Sequence, residues 1–166
     1  DVETGPGEWP MDAVEASVAD VDGAADALLL YTSGTTGMPK GARLSQRAVL
    51  AGGENTALAH QLTSTDRALC VLPLYHINAE MVTVMGPLAS GGSVVMPQRF
   101  SATDFWNHVT RYHCTWVSVV PTIIKYLLDR AAREPWQFGE SPELSQLRFG
   151  RSASAPTSPT PHAQPP

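Results

Sequence analysis

Short apolar runs alternate with longer amphipathic segments along most of the chain. The runs are rich in β-branched, leucine and aromatic residues, which is typical of strands, and Ser, Pro or Gly marks the ends of the segments between them, as in helices. We predict strands at 28–32, 42–44, 67–72, 93–96, 115–120 and from 147 to 150, with the run 27–30 buried. We predict helices at 46–60, 79–89, 101–112 and 121–133.

A few residues set the ends and the strength of these elements. Ser45 can cap the helix that begins at Gln46, and Pro121 suits the first turn of the last helix. Gly52 and Gly53 weaken the middle of the first helix by about 1 kcal/mol each relative to Ala. Because strands and helices alternate, we expect an α/β fold with a partial, mostly parallel sheet and crossover helices.

The ends of the chain differ from its middle. Residues 1–26 are acidic and rich in Gly, Pro and Ala, so we expect an irregular lead-in, and we expect the folded domain to cover 27–155. The stretch 156–166 contains five prolines and no core-forming residue, so it cannot offset its ordering entropy and should be disordered. The first residue is Asp1 and not Met, which suggests a fragment or a processed chain.

Composition narrows the class of partner. The 166 residues carry a net charge of −5, which argues against nucleic acid or an anionic membrane surface as the main partner. No apolar stretch approaches the roughly 20 residues of a membrane span, and there is no secretory signal. Cys70 and Cys114 both lie in predicted strands, so we interpret them as buried thiols and expect a cytoplasmic location.

The segment from Tyr31 to Ala42, YTSGTTGMPKGA, combines glycines, Ser and Thr hydroxyls and one lysine at the end of the first strand. Glycines let backbone N–H groups turn toward an anion, hydroxyls add donors, and Lys40 adds a positive charge, so the segment could hold a polyphosphate. It is not a Walker A loop, because no Ser or Thr follows the lysine. The alternative is a surface turn without a ligand.

This segment resembles, almost letter for letter, the phosphate-binding loop of the adenylate-forming superfamily, which includes acyl-CoA synthetases, aryl-acid ligases, luciferases and peptide-synthetase adenylation domains. The resemblance implies a fragment of the large N-terminal domain of such an enzyme. It implies that the β- and γ-phosphates of ATP are held by the loop, with Lys40 also acting in catalysis. The matching residues are Thr32, Ser33, Gly34, Thr35, Thr36, Gly37 and Lys40.

A second motif, Pro73-Leu74-Tyr75-His76-Ile77-Asn78-Ala79, falls where a strand ends and a helix begins. Ligands collect beyond the carboxyl ends of strands in α/β sheets, so His76 could contact a carboxylate or gate a pocket; alternatively it only caps the following helix. The motif is similar to one in acyl- and aryl-CoA synthetases, which implies that His76 lies beside the acyl group. Ile77 stands where amino-acid-activating relatives usually carry an Asp, which favours a simple carboxylic acid.

The third motif is Leu147–Pro156, whose small residues would let a flat base approach the backbone. A Ser/Ala linker is the alternative. The motif is similar to the family's adenine-lining turn, with Ala153, Ser154 and Ala155 at the matching positions. His108, His113 and Cys114 could in principle bind zinc, but they lack the spacing of zinc ligands, so we predict no metal site among these residues.

The resemblance covers residues 25–156 and implies an acid–CoA ligase that uses ATP, coenzyme A and Mg²⁺. In such enzymes a carboxylic acid and ATP give an acyl-adenylate and pyrophosphate, and the acyl group then passes to coenzyme A. The family's magnesium-binding acid, ribose-binding Asp and catalytic lysine would fall beyond the chain's end, where we expect a truncation or a shifted frame near Thr157. We therefore expect the chain alone to be inactive. A non-catalytic remnant, or a nucleotide-binding module completed by a C-terminal partner chain, stays open.

Overall fold

Four parallel strands form the central sheet of the computed structural model, which describes residues 20–32, 40–133 and 142–153. The strand order is β4-β3-β5-β6, and a separate antiparallel hairpin pairs β1 with β2. The strands are β1 Asp26–Thr32, β2 Lys40–Ser45, β3 Arg67–Cys70, β4 Ser93–Val95, β5 Trp116–Val119 and β6 Phe149–Ser152. The helices are α1 Gln46–Ala59, a π-helix Asn78–Met85, α2 Gly86–Ser90, α3 Phe105–Arg111, α4 Pro121–Arg133 and a 3₁₀-helix Pro142–Gln146.

The core lies between the sheet and the helices that cross over it. Buried side chains of β3 and β5, among them Leu69 and Val117, pack with Phe105 and Val109 of α3 and Ile123 of α4. Neighbouring strands run parallel in all three pairings of the sheet, because a helical segment lies between each strand and the next along the chain. The predicted α/β class and its parallel sheet are confirmed.

The run 27–30 is not the buried strand that its composition predicts. It lies in the β1–β2 hairpin, where Leu29 is 51% exposed and Tyr31 is 69% exposed. The hairpin joins no other strand among the described residues, and its side chains alternate between two faces: Leu28 and Leu30 are half-buried, whereas Leu29 and Tyr31 are exposed. The return strand predicted at 42–44 is present and extends over Lys40–Ser45, and Ser45 caps α1 by accepting a hydrogen bond from the N–H of Ala48.

The helix predicted at 79–89 is two elements, because its first part is a π-helix. Pro87 lacks an N–H group, so the α-helical hydrogen bond back to the carbonyl of Thr83 cannot form. Within the π-helix, the Thr83 hydroxyl donates to the carbonyl of Asn78, five residues earlier, at 3.3 Å. Other bounds shift by a few residues: β3 ends at Cys70 and not Leu72, and β6 begins at Phe149. Residues 1–19 of the predicted lead-in and the whole predicted tail lie outside the described residues.

The glycines of α1 allow this helix to approach the π-helix closely. A Cβ added to Gly53 would lie 2.7 Å from the carbonyl oxygen of Met85, and one added to Gly52 would lie 2.6 Å from the sulfur of Met81. The glycine pair that weakens an isolated helix is therefore required by packing. The backbone oxygen of Met85 cannot move aside, whereas the Met81 side chain is flexible.

Asp66 links the beginnings of all four parallel strands. Its side chain is 1% exposed and accepts hydrogen bonds from the Thr63 N–H at 2.8 Å, from the Thr115 hydroxyl at 2.8 Å and from the Arg148 guanidinium. Its carbonyl accepts from the N–H of Ser93 at 2.9 Å. Burial alone raises the pKa of Asp66, but the hydrogen bonds from Arg148, Thr115 and Thr63 outweigh burial and hold that pKa below its ordinary value of 3.8.

We predict that Asp66→Asn lowers the free energy of unfolding by about 3 kcal/mol at neutral pH, because Arg148 and Thr115 lose a buried charged acceptor. A carboxylate whose pKa is depressed by folding stabilises the fold above its unfolded pKa, and the contribution is lost as pH falls through the folded value. Urea unfolding should therefore show parent and variant converging below about pH 4. Asp129→Asn, which removes only an exposed pair with Lys125, is the control and should change stability by less than about 0.5 kcal/mol. An equal loss at both sites would contradict the assignment.

We also predict that Gly53→Ala destabilises the chain by about 1–3 kcal/mol, although alanine is the better helix former. The added methyl group would collide with the backbone oxygen of Met85. Gly52→Ala is the matched control and should cost less, because only the Met81 side chain must move. Thermal unfolding of the two variants measures both losses of stability. A stabilised Gly53→Ala variant would show that α1 and the π-helix are not packed this closely.

Candidate active site

A cavity of about 860 Å³ opens beyond the carboxyl ends of β3, β4 and β5. Its wall is formed by the end of β3 and the following turn, the segment after β4, and the start of α4. Most of the lining is apolar. The lining residues are Cys70, Val71, Leu72, Pro73, Leu74, His76, Ile77, Asn78, Met96, Pro97, Gln98, Arg99, Phe100, Val120, Thr122 and Ile123.

His76 is part of this wall, as its position after β3 predicted. Its carbonyl accepts hydrogen bonds from the N–H groups of Ala79 (2.9 Å) and Glu80 (3.2 Å), so its backbone helps to begin the π-helix. Its ring lies 4.5 Å from the ring of Tyr75, centroid to centroid. The backbone of His76 thus helps to begin the helix and its exposed side chain lines the cavity, while its contact with a carboxylate stays a prediction.

The charges of the described lining favour an anionic ligand. His76 and Arg99 are the basic side chains, and none of these lining residues is a carboxylate. An apolar cavity with a few basic groups at its wall suits a molecule with a hydrocarbon part and an acid group. Neither thiol is suited to nucleophilic attack, because burial raises the pKa of Cys70 and raises the pKa of Cys114 to about 11. Both cysteines are free and buried, as predicted.

The β1–β2 hairpin presents the predicted phosphate loop. Thr32 and Lys40 are register partners at the end of the hairpin where the loop connects β1 to β2, so the two ends of the loop lie side by side. Of the predicted loop residues, Ser33, Gly34, Thr35, Thr36 and Gly37 lie outside the described residues. The hairpin is anchored to α1, because the N–H of Gln46 donates to the carbonyl of Ala25 at 2.9 Å.

Ala153 extends β6 at the carboxyl edge of the sheet. Its N–H donates to the carbonyl of Val119 at 3.1 Å, so it lies beside the end of β5, on the edge where the cavity opens. Ser154 and Ala155, the other two residues of the predicted adenine turn, lie outside the described residues.

The structure links Asn78 and Arg151, two motif residues to which we assigned no role, to each other and to Ser118 of β5, which lies in no motif. Arg151 of β6 donates to the side-chain oxygen of Asn78 at 2.6 Å and to the Ser118 hydroxyl at 3.3 Å. Ser118 also donates to the same Asn78 oxygen at 3.3 Å. Asn78 lies two residues after His76, and Arg151 precedes the adenine turn, so motif membership was the available signal. Their pairing spans 73 positions and no local pattern reveals it.

The residues described here contain no group of three His, Cys, Asp or Glu side chains that could hold a metal ion. Within the same parts of the chain, no helix is both long and apolar enough to cross a membrane.

A parallel α/β sheet with a cavity beyond the carboxyl ends of its strands places the candidate site where open α/β sheets bind ligands. The chain belongs to the AMP-binding enzyme family, whose family model matches residues 3–164. The family resemblance of the three motifs is thus confirmed.

Curated relatives of the chain include CoA ligases. It is 54% identical over 138 residues to a sulfoacetate–CoA ligase of Cupriavidus necator, covering 83% of this chain and 26% of that protein. It is 38% identical over 157 residues to an oxalate–CoA ligase of Arabidopsis thaliana, covering 86% of this chain and 30% of that protein. The chain thus spans less than a third of the length of these relatives.

Solved structures agree with this assignment. The o-succinylbenzoate CoA synthetase of Bacillus subtilis, in complex with its acyl-adenylate intermediate, superposes with a TM-score of 0.68 at 32% identity. The match covers 81% of this chain and 33% of that one. The same enzyme has also been solved with ATP and a magnesium ion.

Proposed function

We propose that this chain forms part of an ATP-dependent acid–CoA ligase and contributes the acyl cavity and the phosphate loop. The reaction joins a carboxylic acid to AMP with release of pyrophosphate, and coenzyme A then displaces AMP. The cavity with His76 at the carboxyl edge of the sheet is the observation that carries the proposal, because it combines apolar walls, basic groups and no described carboxylate.

The two ends of the site have different tasks. Lys40 and the hydroxyl and glycine residues of the loop, Thr32 to Gly37, hold the β- and γ-phosphates and stabilise the charge that builds on the departing pyrophosphate. His76 faces the acyl group from the cavity wall. Ala153, Ser154 and Ala155 line the adenine. Ile77 cannot pair an ammonium group, which supports a carboxylic acid without an α-amino group.

The remaining functions lie in segments that the longer relatives possess. We expect the magnesium-binding acid, the ribose-binding Asp and the catalytic lysine to come from such a segment or from a complementing chain. The predicted domain limits at 27 and 155, the disordered tail and the cytoplasmic location stay predictions.

The reaction can be tested in a chimera in which residues 20–153 replace the matching segment of the Cupriavidus necator ligase. With ATP, Mg²⁺ and small carboxylic acids, the chimera should form an acyl-adenylate that hydroxylamine traps as the hydroxamate. The 166-residue chain alone should release no AMP, because the groups named above are missing from it. A folded chimera that traps no adenylate with any acid would contradict the proposed function, and acid-dependent AMP release by the chain alone would contradict its dependence on further segments.

In the same chimera, we predict that Lys40→Ala raises the free-energy barrier to adenylation by about 2–4 kcal/mol and so slows the reaction. This is the usual cost of losing one donor to developing charge. His76→Ala should change KM for the acid or thiol more than KM for ATP, because it lines the acyl cavity. Lys125→Ala, on the exposed face of α4, is the matched lysine control. If Lys40→Ala left the rate unchanged while His76→Ala abolished ATP binding, the two ends of the site would be wrongly assigned.

A further inference from the structure

Asn78 lies in the wall of the mostly apolar cavity and is hydrogen-bonded to a partly buried arginine, Arg151. The residue is 8% exposed and lines the cavity at the start of the π-helix. Its side-chain oxygen accepts hydrogen bonds from Arg151 and Ser118, which fixes the orientation of the amide. Its Nδ2 donor group is buried and has no hydrogen-bond partner among the described residues. Because Nδ2 is itself shielded from the cavity, this cluster acts on a bound ligand through its charge and not through a hydrogen bond from Nδ2.

Arg151 adds a positive charge directly behind this amide. Its described partners, the Asn78 oxygen and the Ser118 hydroxyl, are both neutral, and no carboxylate of the described residues forms an ion pair with it. Burial lowers the pKa of Arg151, as expected for a guanidinium that is removed from water without a countercharge. An arginine in this position makes the adjacent part of the cavity electrostatically favourable for an anion.

We propose that Asn78 and Arg151 make the cavity selective for small acids that carry a second anionic group in addition to the reacting carboxylate. The inference rests on the proposed function, because it assigns the substrate class of that same site. The reacting carboxylate lies at the His76 side, and the second group, a sulfonate or a second carboxylate, lies on the side of Asn78 and is stabilised by the Arg151 charge. Asn78 and Arg151 are thus specificity-determining residues. The acids named for the two curated relatives, sulfoacetate and oxalate, both belong to this class.

The alternative is structural: Arg151 and Asn78 could only fasten β6 to the π-helix. The two roles differ in what a substitution changes. A structural tie affects every acid and the thermal stability alike, whereas a specificity determinant changes the ratio between charged and uncharged acids.

The experiment uses the chimera described above and measures kcat/KM of hydroxamate formation for sulfoacetate, malonate and propionate, together with KM for ATP. Arg151→Met should reduce kcat/KM for sulfoacetate and malonate relative to propionate by about 10- to 100-fold, the loss expected for one hydrogen bond or close charge to an anion. KM for ATP should not change. Asn78→Asp should give a similar loss, because the new carboxylate would neutralise Arg151 and repel the second anionic group. Arg151→Lys should retain part of the preference.

Arg130→Leu, on α4 and outside the cavity lining, is the matched arginine control and should leave the ratio unchanged. An equal loss for all three acids in Arg151→Met, or an unchanged ratio in both Arg151→Met and Asn78→Asp, would overturn the inference while leaving the proposed function intact.

If the parent chimera adenylates no acid, the proposed function is wrong. The selectivity for a second anionic group is then tested separately, by measuring how tightly the chain binds each acid. Isothermal titration of the unmodified 166-residue chain should then show tighter binding of sulfoacetate than of propionate, and Arg151→Met should abolish the difference. Equal binding of the two acids by the unmodified chain would overturn the inference.

Discussion

The alignment of the four parallel strands depends on the buried carboxylate of Asp66. Through its carbonyl it holds the start of β4, and through its side chain it holds the residues that precede β5 and β6. Parallel strands have no tight turn to fix their register, so such a link at the amino edge supplies a constraint that hairpins obtain locally. The register set there also decides which residues emerge together at the carboxyl edge. His76, Asn78 and Ala153 meet at that edge because the strands begin at a common point.

A second constraint places the cavity wall. The π-helix begins immediately after the His76 turn, and its close contact with α1 requires glycine at position 53, where an added Cβ would meet the backbone oxygen of Met85. α1 in turn is anchored to the β1–β2 hairpin, which presents Lys40. The hairpin that carries the predicted phosphate loop is therefore connected to the cavity wall through one packed helix. π-helical turns are rare and often occur at functional sites, and here the turn contributes Asn78 to the cavity wall.

Much of the fold could be predicted from local pattern. The order of strands and helices, the Ser45 cap and the position of His76 at the end of a strand follow from periodicity and from single residues with strong preferences. The exposure of Leu29 and Tyr31 could not, because an apolar run is buried only where another element covers both of its faces. The π-helix was missed for a similar reason: its hydrogen bonding reflects Pro87 and packing against α1. The contact between Asn78 and Arg151 joins two motifs that are distant along the chain and become neighbours only when β6 pairs with β5.

Under the proposed function, the turn after β6 and the His76 cavity bind the two halves of one acyl-adenylate, the AMP and the acyl group. A crystal structure of the chimera with an unreactive acyl-sulfamoyl adenylate of sulfoacetate tests it most directly. We expect the adenine beside Ala153, the sulfamoyl group on the side of Lys40, and the acyl group in the cavity between His76 and Asn78. An acyl group bound outside that cavity, or an adenine bound away from the end of β6, would contradict the account.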